Sequence, residues 1–173
     1  EIMVGDEIQN PVATNEEGEI LVRGSNVMQG YLDRPEETAK TITAEGWLRT
    51  GDLGRMDEDG FVFVTGRIKE LIIKGGENIA PREVDEALLE HDAVLEAAAF
   101  ARPCKDYGQR VEACVCLKKG HSAQENELRE FCKNLIGAYK TPDRIYFLDD
   151  LPKGPSGKVQ RMKLVDLTLQ VSF

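Results

Sequence analysis

Short alternations of apolar and polar residues in the first third of the chain predict β-strands. Residues 18–24, GEILVRG, alternate with the two-residue period of a strand. Residues 55–66 place β-forming side chains after Asp59-Gly60, a favoured tight-turn pair, and so predict a hairpin. Between these segments, residues 34–42 predict a brief helix that has a proline near its start.

The pattern changes near residue 67, where longer strands begin to alternate with amphipathic helices. In residues 109–117 every second side chain is apolar, which places Cys114 and Cys116 on one common face. The predicted elements are two short strands around Gly75-Gly76, a helix from Pro81 with Val84, Ala87 and Leu88 on one face, strands at 93–101 and 109–117, a helix, a strand at 143–150 and a last helix from about Gln160.

The helix before residue 143 has both a predicted start and a predicted end. Ser122 and Glu125 have the spacing of a capping box, and Gly137 is suited to closing the helix. Its expected apolar stripe is made of Leu128, Phe131, Cys132, Leu135 and Ile136.

These elements predict an α+β fold in two parts. Residues 67–173 have the size of an independent small domain, a short sheet with packed helices. Residues 1–66, with strands and a hairpin, are too short for a complete domain, and we expect them to be the C-terminal remnant of a larger N-terminal one. The first residue is Glu1 rather than methionine, so we expect the chain to be a piece of a longer protein.

Composition and charge exclude several classes of function. The formal net charge of −9 disfavours a surface for nucleic acid or anionic lipid, and no apolar run approaches the length of a membrane span. The four cysteines form no C-x-x-C pair and the two histidines supply no obvious ligand set, so we expect free thiols and no metal site. The cytoplasm is the expected compartment.

Residues 151–161, LPKGPSGKVQR, suggest a phosphate-binding loop but do not have the P-loop spacing. Only Pro155 and Ser156 separate the two glycines, and Val159 follows Lys158 where a P-loop has serine or threonine. What remains is a single lysine on a bent loop, which in isolation indicates an ordinary surface turn.

Three glycine-containing segments change that interpretation when they are considered together. They are WLRTGDLG at 47–54, GRIKELIIKGGENIAP at 66–81, and the loop at 151–161. With GEILVRGSNVMQGYLDRPEET upstream, their order and spacing resemble the AMP-forming acyl-CoA synthetases, in the branch that includes 4-coumarate–, oxalate– and fatty-acid–CoA ligases. The resemblance runs from about Gly18 to about Met162.

The resemblance implies an enzyme that uses ATP to form acyl-AMP and then transfers the acyl group to coenzyme A. It implies that Asp52 and Arg67 hold the ribose of ATP or AMP, and that Lys158 is the catalytic lysine of the first step. It further implies that Lys69 is a hinge for a C-terminal lid domain and that Gly76 lines the tunnel for the pantetheine arm. A small carboxylic acid is the implied substrate, with a lean toward oxalate.

The chain also departs from the pattern of this family, because its phosphate loop, adenine segment and acid pocket are not in these residues. The implied partner is therefore an N-terminal domain of the same protein, and Mg²⁺ would arrive with ATP on ligands that lie elsewhere. We expect the chain alone to be inactive.

Two alternatives remain open at this stage. An adenylation domain that loads an amino acid onto a carrier protein shares most of the motifs, although no carrier-like serine motif follows residue 161. A stand-alone, non-catalytic interaction domain of the α+β class is the other alternative.

Overall fold

The computed structural model describes residues 1–170, which divide into two compact units. The first unit is Glu1–Lys69 and the second begins at Glu70, so the boundary falls just after the predicted one at residue 67. The boundary lies within a 3₁₀ turn, Ile68–Glu70. The origin of residues 1–66 in a larger domain stays a prediction.

The first unit is a four-stranded antiparallel sheet with one short helix. Its strands lie in chain order, and Val4, Ile20, Leu21 and Leu53 form its buried apolar positions. The elements are β1 (Ile2–Gly5), β2 (Gly18–Val22), α1 (Pro35–Thr41), β3 (Leu48–Met56) and β4 (Val62–Arg67).

The predicted hairpin is formed by β3 and β4, but its turn is longer than the two-residue turn that Asp59-Gly60 suggested. The connection runs from Asp57 to Phe61, and the Asp57 carboxylate accepts the N–H of Asp59 at 3.1 Å and of Phe61 at 2.8 Å. Gly60 has φ = 84°, a conformation that favours glycine. The side chain of Asp57 therefore organises the turn.

The second unit is a mixed five-stranded sheet with three helices among the described residues, which confirms the α+β class. The sheet order is β6-β5-β8-β7, and β9 pairs with β8 in parallel while the other pairs are antiparallel. The elements are β5 (Ile72–Lys74), β6 (Glu77–Ile79), α2 (Pro81–Leu89), β7 (Val94–Cys104), β8 (Gly108–Leu117), α3 (Glu125–Lys140), β9 (Arg144–Phe147) and α4 (Arg161–Gln170).

Strand β8 is buried on both faces, and each face belongs to a different apolar cluster. Val111 and Val115 point into the cluster that includes residues of α2 and α3. Cys114 and Cys116 point into the other cluster, which contains Leu164 of α4. The prediction that the two cysteines share a face is therefore confirmed. All four cysteines are free thiols.

The predicted start of α3 is wrong by two residues. The capping box is formed by Gln124 and Glu127, with the Glu127 carboxylate accepting the Gln124 N–H at 3.2 Å. The carboxylate of Glu125 instead accepts the N–H of Ile145 in β9 at 3.1 Å. A tertiary contact thus recruits the side chain that the local pattern had assigned to the cap.

The predicted end and apolar stripe of α3 are correct only in part. Gly137 has φ = 81° and bends the segment there, but helical structure resumes and reaches Lys140. Leu128 and Cys132 are fully buried, whereas Leu135 is 48% exposed. Across residues 1–170, no helix has the length and apolar character needed to cross a bilayer.

Candidate functional site

Asp52 and Arg67 are neighbours across the first unit's sheet. They are register partners on β3 and β4, and Arg67 Nε lies 2.8 Å from Asp52 Oδ1. The Asp52 side chain is 30% exposed, and among residues 1–170 no side chain other than Arg67 contacts its carboxylate. The carboxylate is therefore oriented by one arginine and keeps acceptor capacity for a hydroxyl group from outside.

The backbone around Asp52 is fixed by contacts that the sequence patterns did not indicate. Gly51 has φ = 72°, and its N–H donates to Oε1 of the buried Glu19 at 3.0 Å. The Thr50 hydroxyl accepts the Asp52 N–H at 3.1 Å and donates to the Ile20 carbonyl at 2.7 Å. Glu19 is thus a positioning residue that sequence reasoning missed, and its signal was a carboxylate inside an apolar strand.

Lys69 is the last residue of the first unit, and its side chain is exposed within the 3₁₀ turn. The boundary of the two compact units therefore falls directly after Lys69, and the hinge role of this residue stays a prediction.

Gly75 and Gly76 form the turn between β5 and β6, and both have positive φ, 57° and 89°. A Cβ at Gly75 would lie 3.0 Å from the Tyr139 hydroxyl oxygen, whereas a Cβ at Gly76 would meet nothing within 4 Å of the described chain. Gly76 is therefore open to a molecule from outside, and its backbone conformation is what requires glycine.

The Gly75-Gly76 turn is preceded by Lys74, a charged residue whose side chain is buried. Its Nζ donates to the Tyr139 carbonyl at 3.0 Å and lies 3.6 Å from Asp143 Oδ2. The Gly75 N–H donates to the Tyr107 carbonyl at 2.9 Å. Lys74 is a second residue that the sequence patterns did not single out.

Lys158 lies on a narrow loop that links β9 to α4. The Gly154 N–H donates to the Lys158 carbonyl at 2.8 Å, and Lys153 and Val159 pair as an isolated bridge. Gly157 has φ = 77° and makes the tight return possible. The Lys158 side chain is exposed, and its Nζ has no acidic or carbonyl partner among residues 1–170.

The two other cations of this loop are both paired. Lys153 Nζ lies 2.7 Å from a Glu96 carboxylate oxygen and 3.2 Å from Asp150. Arg161 forms a fork with Asp85 of α2, with the shorter contact at 2.6 Å. Burial raises the pKa of Asp85, and the hydrogen bonds from Arg161 oppose that increase.

The predicted site residues therefore form separate groups in the two units. Asp52 and Arg67 are in direct contact in the first unit, and Lys69 lies at its last position. Gly76 and Lys158 lie on two different connections of the second unit. Among residues 1–170, no group of three or more His, Cys, Asp or Glu side chains is arranged to hold a metal ion.

Comparison with known proteins assigns a family to part of the chain. Residues 83–158 match the AMP-binding enzyme C-terminal domain. This part of the chain belongs to that family. The matched region ends at Lys158, so the AMP-binding enzyme C-terminal domain includes the whole of the loop up to the exposed lysine.

Similarity to named ligases extends beyond the matched domain. The chain is 51% identical over 156 residues to a sulfoacetate–CoA ligase of Cupriavidus necator, which covers 90% of this chain and 31% of that protein. It is 44% identical over 155 residues to an oxalate–CoA ligase of Arabidopsis thaliana, which covers 90% of this chain and 29% of that protein. These matches confirm the resemblance to acyl-CoA ligases.

A solved structure gives the same result at the level of the fold. ATP-bound MatB from Rhodopseudomonas palustris superposes with a TM-score of 0.93 at 33% identity, over 100% of this chain and 35% of that one. The chain therefore spans about a third of the length of the relatives that it matches.

Proposed function

We propose that this chain is the C-terminal part of an AMP-forming acid–CoA ligase. The complete protein would convert a carboxylate, ATP and coenzyme A into acyl-CoA, AMP and pyrophosphate, with acyl-AMP as the intermediate. Two relatives that match 90% of the chain are named as acid–CoA ligases, which supports this reaction class.

The unpaired ammonium of Lys158 is the observation that carries the proposal. Lys153 and Arg161 are both ion-paired, so of three cations on one loop only Lys158 has its charge available. In the first half-reaction Lys158 would orient the attacking carboxylate and offset the charge that grows on the α-phosphate. A preorganised donor of this kind lowers the activation free energy by about 3–4 kcal/mol.

Asp52 and Arg67 would hold the ribose of the nucleotide. The Asp52 carboxylate, whose side-chain partner among residues 1–170 is Arg67, suits a hydroxyl donor, since a carboxylate only accepts. Each such charged hydrogen bond contributes about 1.5–3 kcal/mol. Arg67 fixes the orientation of the carboxylate.

Lys69 and Gly76 would serve the second half-reaction. A pivot at Lys69 would withdraw Lys158 and bring the Gly75-Gly76 turn to the reacting atoms, which is a recognised use of a hinge between two chemical steps. The open space around Gly76 would then admit the pantetheine arm of coenzyme A.

The acid substrate is proposed only as a small carboxylic acid. Relatives named as sulfoacetate– and oxalate–CoA ligases match the chain at comparable identity, so the preference for oxalate as the substrate gains no support. We propose Mg²⁺ as the companion of ATP, and none of the five site residues is assigned to it. We place the protein in the cytoplasm as part of the same proposal.

The central experiment separates the two half-reactions in the complete natural protein. A pyrophosphate-exchange screen over carboxylic acids first identifies the substrate. Lys158→Ala should then reduce acyl-AMP formation by about a hundredfold or more, the equivalent of about 3 kcal/mol. Thioester formation from supplied acyl-AMP should stay within about twofold of the wild type.

Lys153→Ala is the matched control. It also removes a cation from this loop, but Lys153 is already ion-paired with Glu96 and Asp150. It should leave adenylation close to the wild-type rate. Equal losses in both half-reactions for Lys158→Ala, or equal losses for the two lysine variants, would refute the catalytic role of Lys158. Release of AMP by the 173-residue chain alone, given ATP, coenzyme A and the acid, would refute its predicted inactivity.

A further inference from the structure

Arg161, the first residue of α4, connects the Lys158 loop to three other segments of the second unit. Its Nη2 donates to Asp85 Oδ2 of α2 at 2.6 Å, and its Nη1 donates to the Ala99 carbonyl of β7 at 2.9 Å. Its Nε donates to Glu70 Oε2 at 3.0 Å. One guanidinium thus binds a helix, the edge strand β7 and the residue that follows Lys69.

This anchor is largely shielded from solvent, and its acceptors are themselves hydrogen-bonded. The Arg161 side chain is 20% exposed and that of Asp85 is 11% exposed. Asp85 Oδ1 also accepts the Ala99 N–H at 2.6 Å, so the carboxylate is fixed from the sheet side too. A planar fork with a fixed acceptor sets both the distance and the angle of the pair, which a single ammonium cannot do.

The rest of the loop is attached by less directional contacts. Leu151 and Val159 pack in an apolar cluster of the second unit, and Lys153 binds two carboxylates. Main-chain bonds within the loop fix its shape. Because apolar packing is non-directional and three residues span at most about 10 Å, the distance and angle at which Lys158 is presented depend on where Arg161 is held.

We propose that Arg161 is a positioning residue for Lys158, and that its contact with Glu70 ties the Lys158 loop to the segment beside Lys69. The proposal rests on the proposed function, because it assigns Arg161 to the half-reaction that uses Lys158. Because the Arg161 guanidinium is already occupied by protein acceptors, Arg161 would act through the loop and not on a reacting atom.

The test uses the complete natural protein and measures both half-reactions. Arg161→Lys keeps the charge but removes the fork, and Asp85→Asn keeps the shape but removes the charge. Both should slow acyl-AMP formation by about tenfold to a hundredfold, since a displacement of about 1 Å at a reacting group can cost that much. The KM for ATP and thioester formation from supplied acyl-AMP should change less than about threefold.

Arg102→Lys is the matched control, because Arg102 is another buried arginine that binds α4. It pairs with Glu112 at 2.8 Å and donates to the Val165 carbonyl at 3.2 Å, one turn beyond the loop. It should lower the melting temperature as Arg161→Lys does, with adenylation near the wild-type rate. Equal slowing of both half-reactions by Arg161→Lys, or equal slowing of adenylation by the two arginine variants, would show a purely structural role and overturn the inference.

Glu70→Gln keeps the test decisive if the Arg161 and Asp85 variants fail to fold. Glu70 is 42% exposed, and its change leaves the Asp85–Arg161 fork in place. Adenylation should fall by about threefold or more, and an unchanged rate would overturn the link to Glu70.

Failure of the proposed function gives another pattern: no acid supports pyrophosphate exchange, or Lys158→Ala is as active as the wild type. In that case both proposals fall together.

Discussion

The buried thiol of Cys114 predicts a loss of stability at alkaline pH. Cys114 is fully buried in the middle of β8. Burial, with a smaller contribution from Cys116, raises the pKa of the Cys114 thiol from 9.0 to about 12. In the unfolded chain the same thiol is in water and ionises near its ordinary pKa.

The sign follows from where the proton is held. Below pH 9 both states keep the proton, and the free energy of unfolding does not depend on this group. Between pH 9 and about 12 the unfolded state loses the proton while the folded state keeps it, so ionisation favours unfolding. At about 1.4 kcal/mol per pH unit, Cys114 alone lowers the free energy of unfolding by about 2 kcal/mol between pH ~8 and ~10.5.

The contribution of the Cys114 thiol can be isolated by guanidinium unfolding, followed by circular dichroism with reductant present. The proteins compared are the wild type, Cys114→Ala and Val115→Ala. Both variants lose packing at every pH, since Val115 is equally buried on the same strand. The stability deficit of Cys114→Ala should shrink by about 2 kcal/mol at the higher pH, whereas that of Val115→Ala should not change. A deficit for Cys114→Ala that is the same at both pH values would refute the reasoning.

Two further predictions concern the coenzyme A turn and the buried ion pairs. Gly76→Leu forces φ = 89° on an L residue whose Cβ would have no described atom within 4 Å, so the free energy of unfolding should fall by only about 1–2 kcal/mol. In the complete protein the change should slow thioester formation and spare adenylation. Glu112→Gln removes a fully buried charge that lies 2.8 Å from Arg102 and 2.6 Å from Arg110, and should lower the free energy of unfolding by about 3–5 kcal/mol. Glu130→Gln, at an exposed ion pair, should have little effect. Full thioester activity in the first case, or similar stability of the two glutamate variants, would contradict these assignments.

Local periodicity was sufficient for most of the elements because their burial is itself periodic. Residues 109–117 alternate between two apolar clusters, so a period of two identifies β8 even though both faces are buried. The start of α3 was missed because the deciding contact, Glu125 with the Ile145 N–H, joins residues that are distant in sequence. A capping pattern cannot show that a carboxylate has a better partner in a strand that follows later.

The candidate site was predictable only where motifs mark it. Asp52, Lys158 and Gly76 came from the resemblance, whereas the residues that hold them have partners far along the chain. Glu19 contacts Gly51 across a strand pair, and Arg161 contacts Ala99 across 62 residues. Sequence does give a weak signal for Arg161, since a cation at a helix N-terminus opposes the dipole and requires a compensating partner.

The residue types on the Lys158 loop suit two different proposed roles: an arginine that positions the loop and a lysine that takes part in the chemistry. Arginine at 161 supplies a planar fork for a buried carboxylate, which a lysine cannot reproduce. Lysine at 158 supplies a compact ammonium on a long flexible stem, and that group can approach two oxygens of different molecules at once. Lys153 binds Glu96 and Asp150, so its own charge is neutralised within the second unit. Of the three cations on this loop, Lys158 is therefore the one whose charge no residue among 1–170 takes up, and that charge is the one the proposed chemistry needs.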